Sequence, residues 1–139
     1  MMMTRGALFF LLLTLGSCKS QPRWDGGKIT KEGVYENEDF KIIAIDEDNS
    51  LVYFMLDSKG DTLIRSDKKF SMFHRWALQL DKDQTLWVLS SDIGHGCWKK
   101  DPITHKYIKR DFFGPILKDS IPVEVYSTLK LFHPYSSED

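Results

Sequence analysis

Three groups of side chains in this sequence have types and spacings that chemistry can use. The first is His95-Gly96-Cys97, with Asp92 just upstream. In an extended chain, residues two apart share a face, so the His95 imidazole would lie beside the Cys97 thiol. An imidazole can lower the pKa of a neighbouring thiol and make it a nucleophile, and Asp92 would orient the ring. The plainer expectation is that Cys97 is a small buried hydrophobe. The second group is Trp76, Trp87 and Trp98, evenly spaced on successive candidate strands. Exposed together they would form a stacking platform for a sugar or a peptide; packed inside they are core and cross-strand contacts. The third is Cys18, preceded by Leu15-Gly16-Ser17 and by an apolar run over residues 7–15, with Arg5 in front.

Metal chemistry finds little support. His74, His95, His105 and Cys97 contain no compact ligand pair, whereas zinc sites usually show one. Asp46-Glu47-Asp48-Asn49 and Asp81-Lys82-Asp83-Gln84 lack the mid-loop Gly and closing Glu of a calcium loop. Hairpin turns explain their Asp and Asn content without an ion. No metal and no cofactor is expected.

The apolar run before Cys18 is less than half the roughly 20 residues that a membrane-spanning helix needs. With its basic front and small residues at its end, it reads as a secretory signal peptide. Leu15-Gly16-Ser17-Cys18 resembles the lipobox of bacterial lipoproteins. The resemblance implies cleavage before Cys18, a diacylglycerol thioether on its sulfur, and acylation of the new amine. Two or more chains make a stable membrane anchor where one is marginal. Lys19 rather than Asp after the cysteine points, by the same resemblance, to the outer membrane over the inner. Lys19-Ser20-Gln21-Pro22-Arg23 lacks the acidic residues of surface-display tags.

Residues 18–139 suffice for one small domain with one core. The 139-residue chain carries a net charge of −1, so no basic excess points to nucleic acid. With Cys18 lipidated, Cys97 has no partner and no disulfide framework is expected. Residues 18–31, with Gly26-Gly27 and no apolar periodicity apart from Trp24, read as a tether. Residues 32–135 read as a single β domain, and residues 136–139 as a frayed polar tail.

The domain must be built from strands. Phe40-Lys41-Ile42-Ile43-Ala44-Ile45, Leu51-Val52-Tyr53-Phe54-Met55-Leu56 and Thr62-Leu63-Ile64-Arg65-Ser66 are β-rich runs separated by turn formers. The second, apolar on both faces, reads as a buried central strand. Residues 67–80 fit a helical face through Phe70, Phe73, Ala77 and Leu80, and a strand through Trp76, Leu78 and Leu80; the strand is preferred. Leu86-Trp87-Val88-Leu89 returns, and His105-Lys106-Tyr107-Ile108-Lys109-Arg110 alternates. Ile121-Pro122-Val123-Glu124-Val125-Tyr126 reads as an edge strand. Residues 128–132 would add a strand or a helical turn.

At an offset of 35, Asp46, Asp48, Asn49, Ser50 and Leu51 fall on Asp81, Asp83, Gln84, Thr85 and Leu86. Thr85-Leu86-Trp87-Val88 after an Asp turn resembles a β-propeller repeat. Ser90-x-Asp92-x-Gly94 is similar to the start of the structural Asp-box hairpin of sialidases, with Cys97 where that box has an aromatic. A complete propeller needs about four or more blades, and the chain has room for two or three. The expected fold is all-β, an antiparallel meander of about 7–9 strands with blade-like repeats. It would close as a small barrel, as a sandwich, or as an oligomeric ring, and full strand pairing favours the first two.

The expected function is that of a non-enzymatic envelope lipoprotein, anchored through lipid on Cys18, that binds an envelope protein or a glycan. The alternatives are a small envelope hydrolase or thiol enzyme using His95, Cys97 and Asp92, and a purely structural envelope component.

Overall fold

A computed structural model describes residues 24–112 and 121–132. Among the described residues, nine strands and one short helix form two antiparallel sheets and a covering layer. The first sheet runs β1 (Gly33–Glu36), β2 (Phe40–Glu47), β3 (Ser50–Asp57), β4 (Thr62–Arg65), with β5 (Phe70–Ser71) pairing along the same edge of β3 as β4. The second runs β6 (Trp76–Leu80), β7 (Leu86–Ser90), β8 (His95–Lys100), β9 (Tyr107–Phe112). Helix α1 (Val123–Leu129) follows. The two sheets stack as a sandwich, and the described strands close no barrel.

Short polar side chains start most of the hairpins. Asp57 Oδ1 accepts from the N–H groups of Lys59 and Asp61, at 2.9 and 3.0 Å. Asp81 Oδ1 accepts from Asp83 and Thr85, at 2.8 and 3.0 Å. Asp101 Oδ1 accepts from Ile103 and Thr104, at 2.8 and 2.9 Å. Ser90 Oγ does the same for Asp92 and Ile93. Each bond reinforces a local turn that backbone hydrogen bonds such as Gly60 N–H to Asp57 O and Gln84 N–H to Asp81 O also close. The β2–β3 hairpin differs: Asp48 and Asn49 both take positive φ, 54° and 65°, which is the two-residue primed turn that matches strand twist. The 35-residue repeat therefore holds in the strands, where Leu51 and Leu86 are both fully buried, and at one turn position, where Asn49 and Gln84 take positive φ of 65° and 63°. Asp81 accepts two turn N–H groups, as Asp57 and Asp101 do, whereas Asp46 Oδ1 accepts that of Asn49 at 2.8 Å.

Strand alternation sets the core. Ile42, Ala44, Leu51, Tyr53, Met55 and Ile64 point inward from the first sheet and pack with Trp76, Leu78, Leu86 and Val88 of the second. Trp98 donates its indole N–H to Tyr53 Oη across the layers at 2.9 Å; burial raises the Tyr53 pKa. The outer face of the second sheet carries Ala77, Trp87, Leu89 and Cys97, and Ile121, Val125 and Leu129 cover it. Strand β7 is consequently buried on both faces.

Two expectations change. Residues 121–126 are not an edge strand. Pro122 occupies the helix N-cap, where a missing N–H costs nothing. A spacing of four places Ile121, Val125 and Leu129 on one face, while Val123 is exposed. The tether is shorter than residues 18–31: Trp24 is buried and bonds to Glu36 O, and Ile29 pairs with Leu78 at the edge of β6. The preferred strand reading of residues 67–80 holds at β5 and at β6, with bends and turns over 67–69 and 72–75. The signal peptide, Cys18, residues 19–23 and the tail over 136–139 lie outside the described residues.

Candidate functional site

The His95, Cys97 and Asp92 side chains have separate structural roles. His95 Nδ1 accepts the Ser90 N–H at 3.2 Å, and its ring meets Phe132 edge-on at 5.6 Å. Cys97 is 4% exposed, beneath the apolar side of α1. Burial pushes its thiol pKa up, against the pull of Arg110 and Lys99. Asp92 Oδ2 accepts the Ser71 N–H at 2.9 Å and ties the two sheets together. A buried thiol with a raised pKa is a poor nucleophile. In a Cys18→Ser chain, the Cys97 thiol is expected to react with a chromogenic disulfide at least about 100-fold more slowly than after unfolding in urea. Equal rates would show Cys97 to be open to solvent.

The tryptophans do not form a platform. Trp76 and Trp87 are buried and Trp98 is half-buried. Register explains their separation: Gln79 and Cys97 pair with Trp87, whereas Leu86 pairs with Trp98. Trp76 and Trp98 thus face the inner core, and Trp87 faces α1. Trp87 donates its indole N–H to Asp81 Oδ2 at 2.8 Å, so an acidic turn that resembled part of a calcium loop binds the protein's own groups. Among the described residues no three His, Cys, Asp or Glu side chains assemble as a metal-ligand set. No helix among them is long and apolar enough to cross a membrane.

No protein family, curated protein or solved structure matches the chain.

The outer face of the first sheet exposes a group of apolar side chains. The register aligns Val34, Ile43, Phe54 and Arg65 in one row, and Ile45 with Val52 in another. Leu56 lies beside Lys41. Val34 is 40% exposed and Ile45 44%, with Ile43, Val52, Phe54 and Leu56 partly covered. The Arg65 guanidinium lies over the Phe54 ring, 5.7 Å from its centre. Charges of both signs surround the patch: Glu36 and Glu47, Lys41 and Arg65. The alternation that could reveal this face is present in Ile43-x-Ile45 and Val52-x-Phe54-x-Leu56, but those residues read equally as a strand buried on both sides.

Proposed function

We propose that this protein is a non-enzymatic bacterial envelope lipoprotein, anchored through Cys18, whose sandwich docks another envelope protein on the outer face of its first sheet. The observation that carries this reading is the apolar face of Val34, Ile43, Ile45, Val52, Phe54 and Leu56 with its charged margin. An apolar centre with a polar rim is the anatomy of a protein interface. The mixed signs of the rim argue for a protein over an anionic lipid surface, which would select basic residues alone. The anchor rests on the Leu15-Gly16-Ser17-Cys18 lipobox resemblance, and Lys19 favours the outer membrane.

Cross-linking in cells followed by mass spectrometry tests the docking. The native chain is expected to capture one specific envelope protein, and Ile45→Lys to reduce capture at least about tenfold, as a charge placed in an interface centre does. Ile45 is exposed, so the variant should keep its melting temperature. Undiminished capture by Ile45→Lys would move the interface elsewhere. Radiolabelled palmitate should enter the native chain and not Cys18→Ser; label in both would remove the anchor.

A further inference from the structure

A second surface feature lies away from that face, where the edge of β6 meets the end of α1. A groove of about 460 Å³ opens there, within the range of small-molecule sites. Buried Trp76 and Ala77 form its floor, and half-buried Met72 and Phe132 stand beside them. Its exposed rim carries Lys28, His74, Arg75 and Leu131. Three separate stretches of chain therefore supply it: the segment bridged to β6 through Ile29, the β5–β6 connection, and the residues after α1.

No carboxylate lines the groove, although acidic side chains slightly outnumber basic ones in the chain, 20 to 19. Elsewhere the cations find acids: Lys68, Lys69 and Lys109 each meet a carboxylate. Among the described residues, Lys28 and His74 make no side-chain hydrogen bond and no ion pair. Arg75 donates from Nη1 to the Leu131 carbonyl at 2.7 Å. That bond holds the guanidinium at the rim, and leaves its charge unneutralised and its other N–H groups free to donate. The apolar surface continues past the rim, through Leu131 at 53% exposure and through Phe73, which lies between Met72 and His74 in the chain and is 80% exposed.

The geometry points to a binding site for a single-chain amphiphilic anion of the fatty-acid class. Its head would meet Lys28 and the Arg75 guanidinium, whose forked donors match an oxyanion. Its aliphatic body would lie on Trp76, Ala77 and Phe132, flanked by Leu131, and leave water there. A flat anionic bilayer is a poorer match. The segment before β1 runs antiparallel to β6, with Asp25 and Gly27 beside its far end and Lys28 and Thr30 beside Trp76. On the anchored reading, the chain therefore arrives from the membrane at the opposite end of this edge. The site shares no residue with the docking face and does not depend on it.

Calorimetric titration of the Cys18→Ser chain with laurate, kept below its micelle concentration, tests the site. Saturable one-to-one binding is expected, with dodecyltrimethylammonium bound at least about tenfold more weakly. Lys28→Glu and Leu131→Asp should each weaken laurate binding about tenfold, the first through like charge and the second through lost apolar contact. Both side chains are exposed, so both variants should keep the native melting temperature. A fatty acid brominated at its far end should quench part of the tryptophan emission, and that part should vanish in Trp76→Phe. Absence of saturable binding would overturn the proposal. So would equal binding of the two amphiphiles, laurate binding that ignores both Lys28→Glu and Leu131→Asp, or quenching that survives Trp76→Phe. Sedimentation with phosphatidylglycerol vesicles without binding of laurate would assign the cations to a bilayer. Tight binding only after deletion of residues 136–139 would assign the groove to the chain's own acidic end. Either result overturns the proposal as well.

Discussion

Replacing Asp81 by Ala is expected to cost about 3 kcal/mol of stability, read from urea unfolding followed by tryptophan fluorescence. The carboxylate holds three N–H groups: those of Asp83 and Thr85 in the turn, and the indole of Trp87. Removing two turn bonds of this kind resembles losing a helix cap, worth about 1 kcal/mol. The remaining bond matters more, because Trp87 lies buried against α1 and its indole N–H would lose a charged acceptor. Asp57→Ala provides the control. It removes the same pair of turn bonds with no indole attached, and should cost about 1 kcal/mol. A double-mutant cycle of Asp81→Ala with Trp87→Phe should give a coupling energy of about 1–2 kcal/mol. Equal costs for Asp81→Ala and Asp57→Ala would mean that the indole bond adds nothing.

Gly96→Ala should be of similar severity, about 3 kcal/mol, at the upper end for an overpacked core. A Cβ at Gly96 would stand 2.8 Å from the Arg110 carbonyl oxygen and 2.9 Å from Lys109 Cε. The carbonyl belongs to the β8–β9 pairing and cannot withdraw without opening the sheet. The Lys109 stem cannot withdraw freely either. Its ammonium lies over the Trp98 ring, 2.9 Å from Asp67 and 3.3 Å from Asp111. Gly94→Ala makes the contrast: a Cβ there meets open space, but φ is +90°. That variant should lose about 1–2 kcal/mol from backbone conformation alone. A Gly96→Ala midpoint no lower than that of Gly94→Ala would show that β9 yields at little cost.

The strands were legible where apolar alternation met a cluster of turn formers, as in residues 40–57 and 76–89. The helix was not. Ile121-Pro122-Val123-Glu124-Val125 alternates as a strand does, and its helical face exists only because Ala77, Leu89 and Cys97 leave an apolar surface for Val125 and Leu129. The tryptophan row failed on parity. Equal spacing suggests alignment, but a strand changes face with every residue; the observed register puts Trp87 opposite Gln79 and sends it to the far side from Trp76 and Trp98. Gln79 was hidden for a related reason. Its place in an alternating strand predicts exposure, whereas α1, whose sequence alternates as a strand does, lies against it, and the Thr128 hydroxyl donates to its amide oxygen at 2.8 Å. The outer face of the first sheet was visible as a string of apolar residues, though whether anything covers such a string is a property of the whole fold.

The order of the strands also shapes how the chain folds. Apart from the β3–β5 pairing, every paired strand in either sheet has its sequence neighbour as partner. Each closure spans a short loop, so little chain entropy opposes it and rapid folding follows. Delivered with its N-terminal end first, the chain can complete the first sheet once Ser71 is available. The inner side of that sheet, with Leu51, Tyr53 and Met55, must then wait for residues 76–88. During that interval the half-made protein exposes apolar surface on both sides of one sheet, which is the moment at which a holding chaperone would have most to protect. The interval closes when the second meander folds over it and Trp98 reaches the Tyr53 hydroxyl.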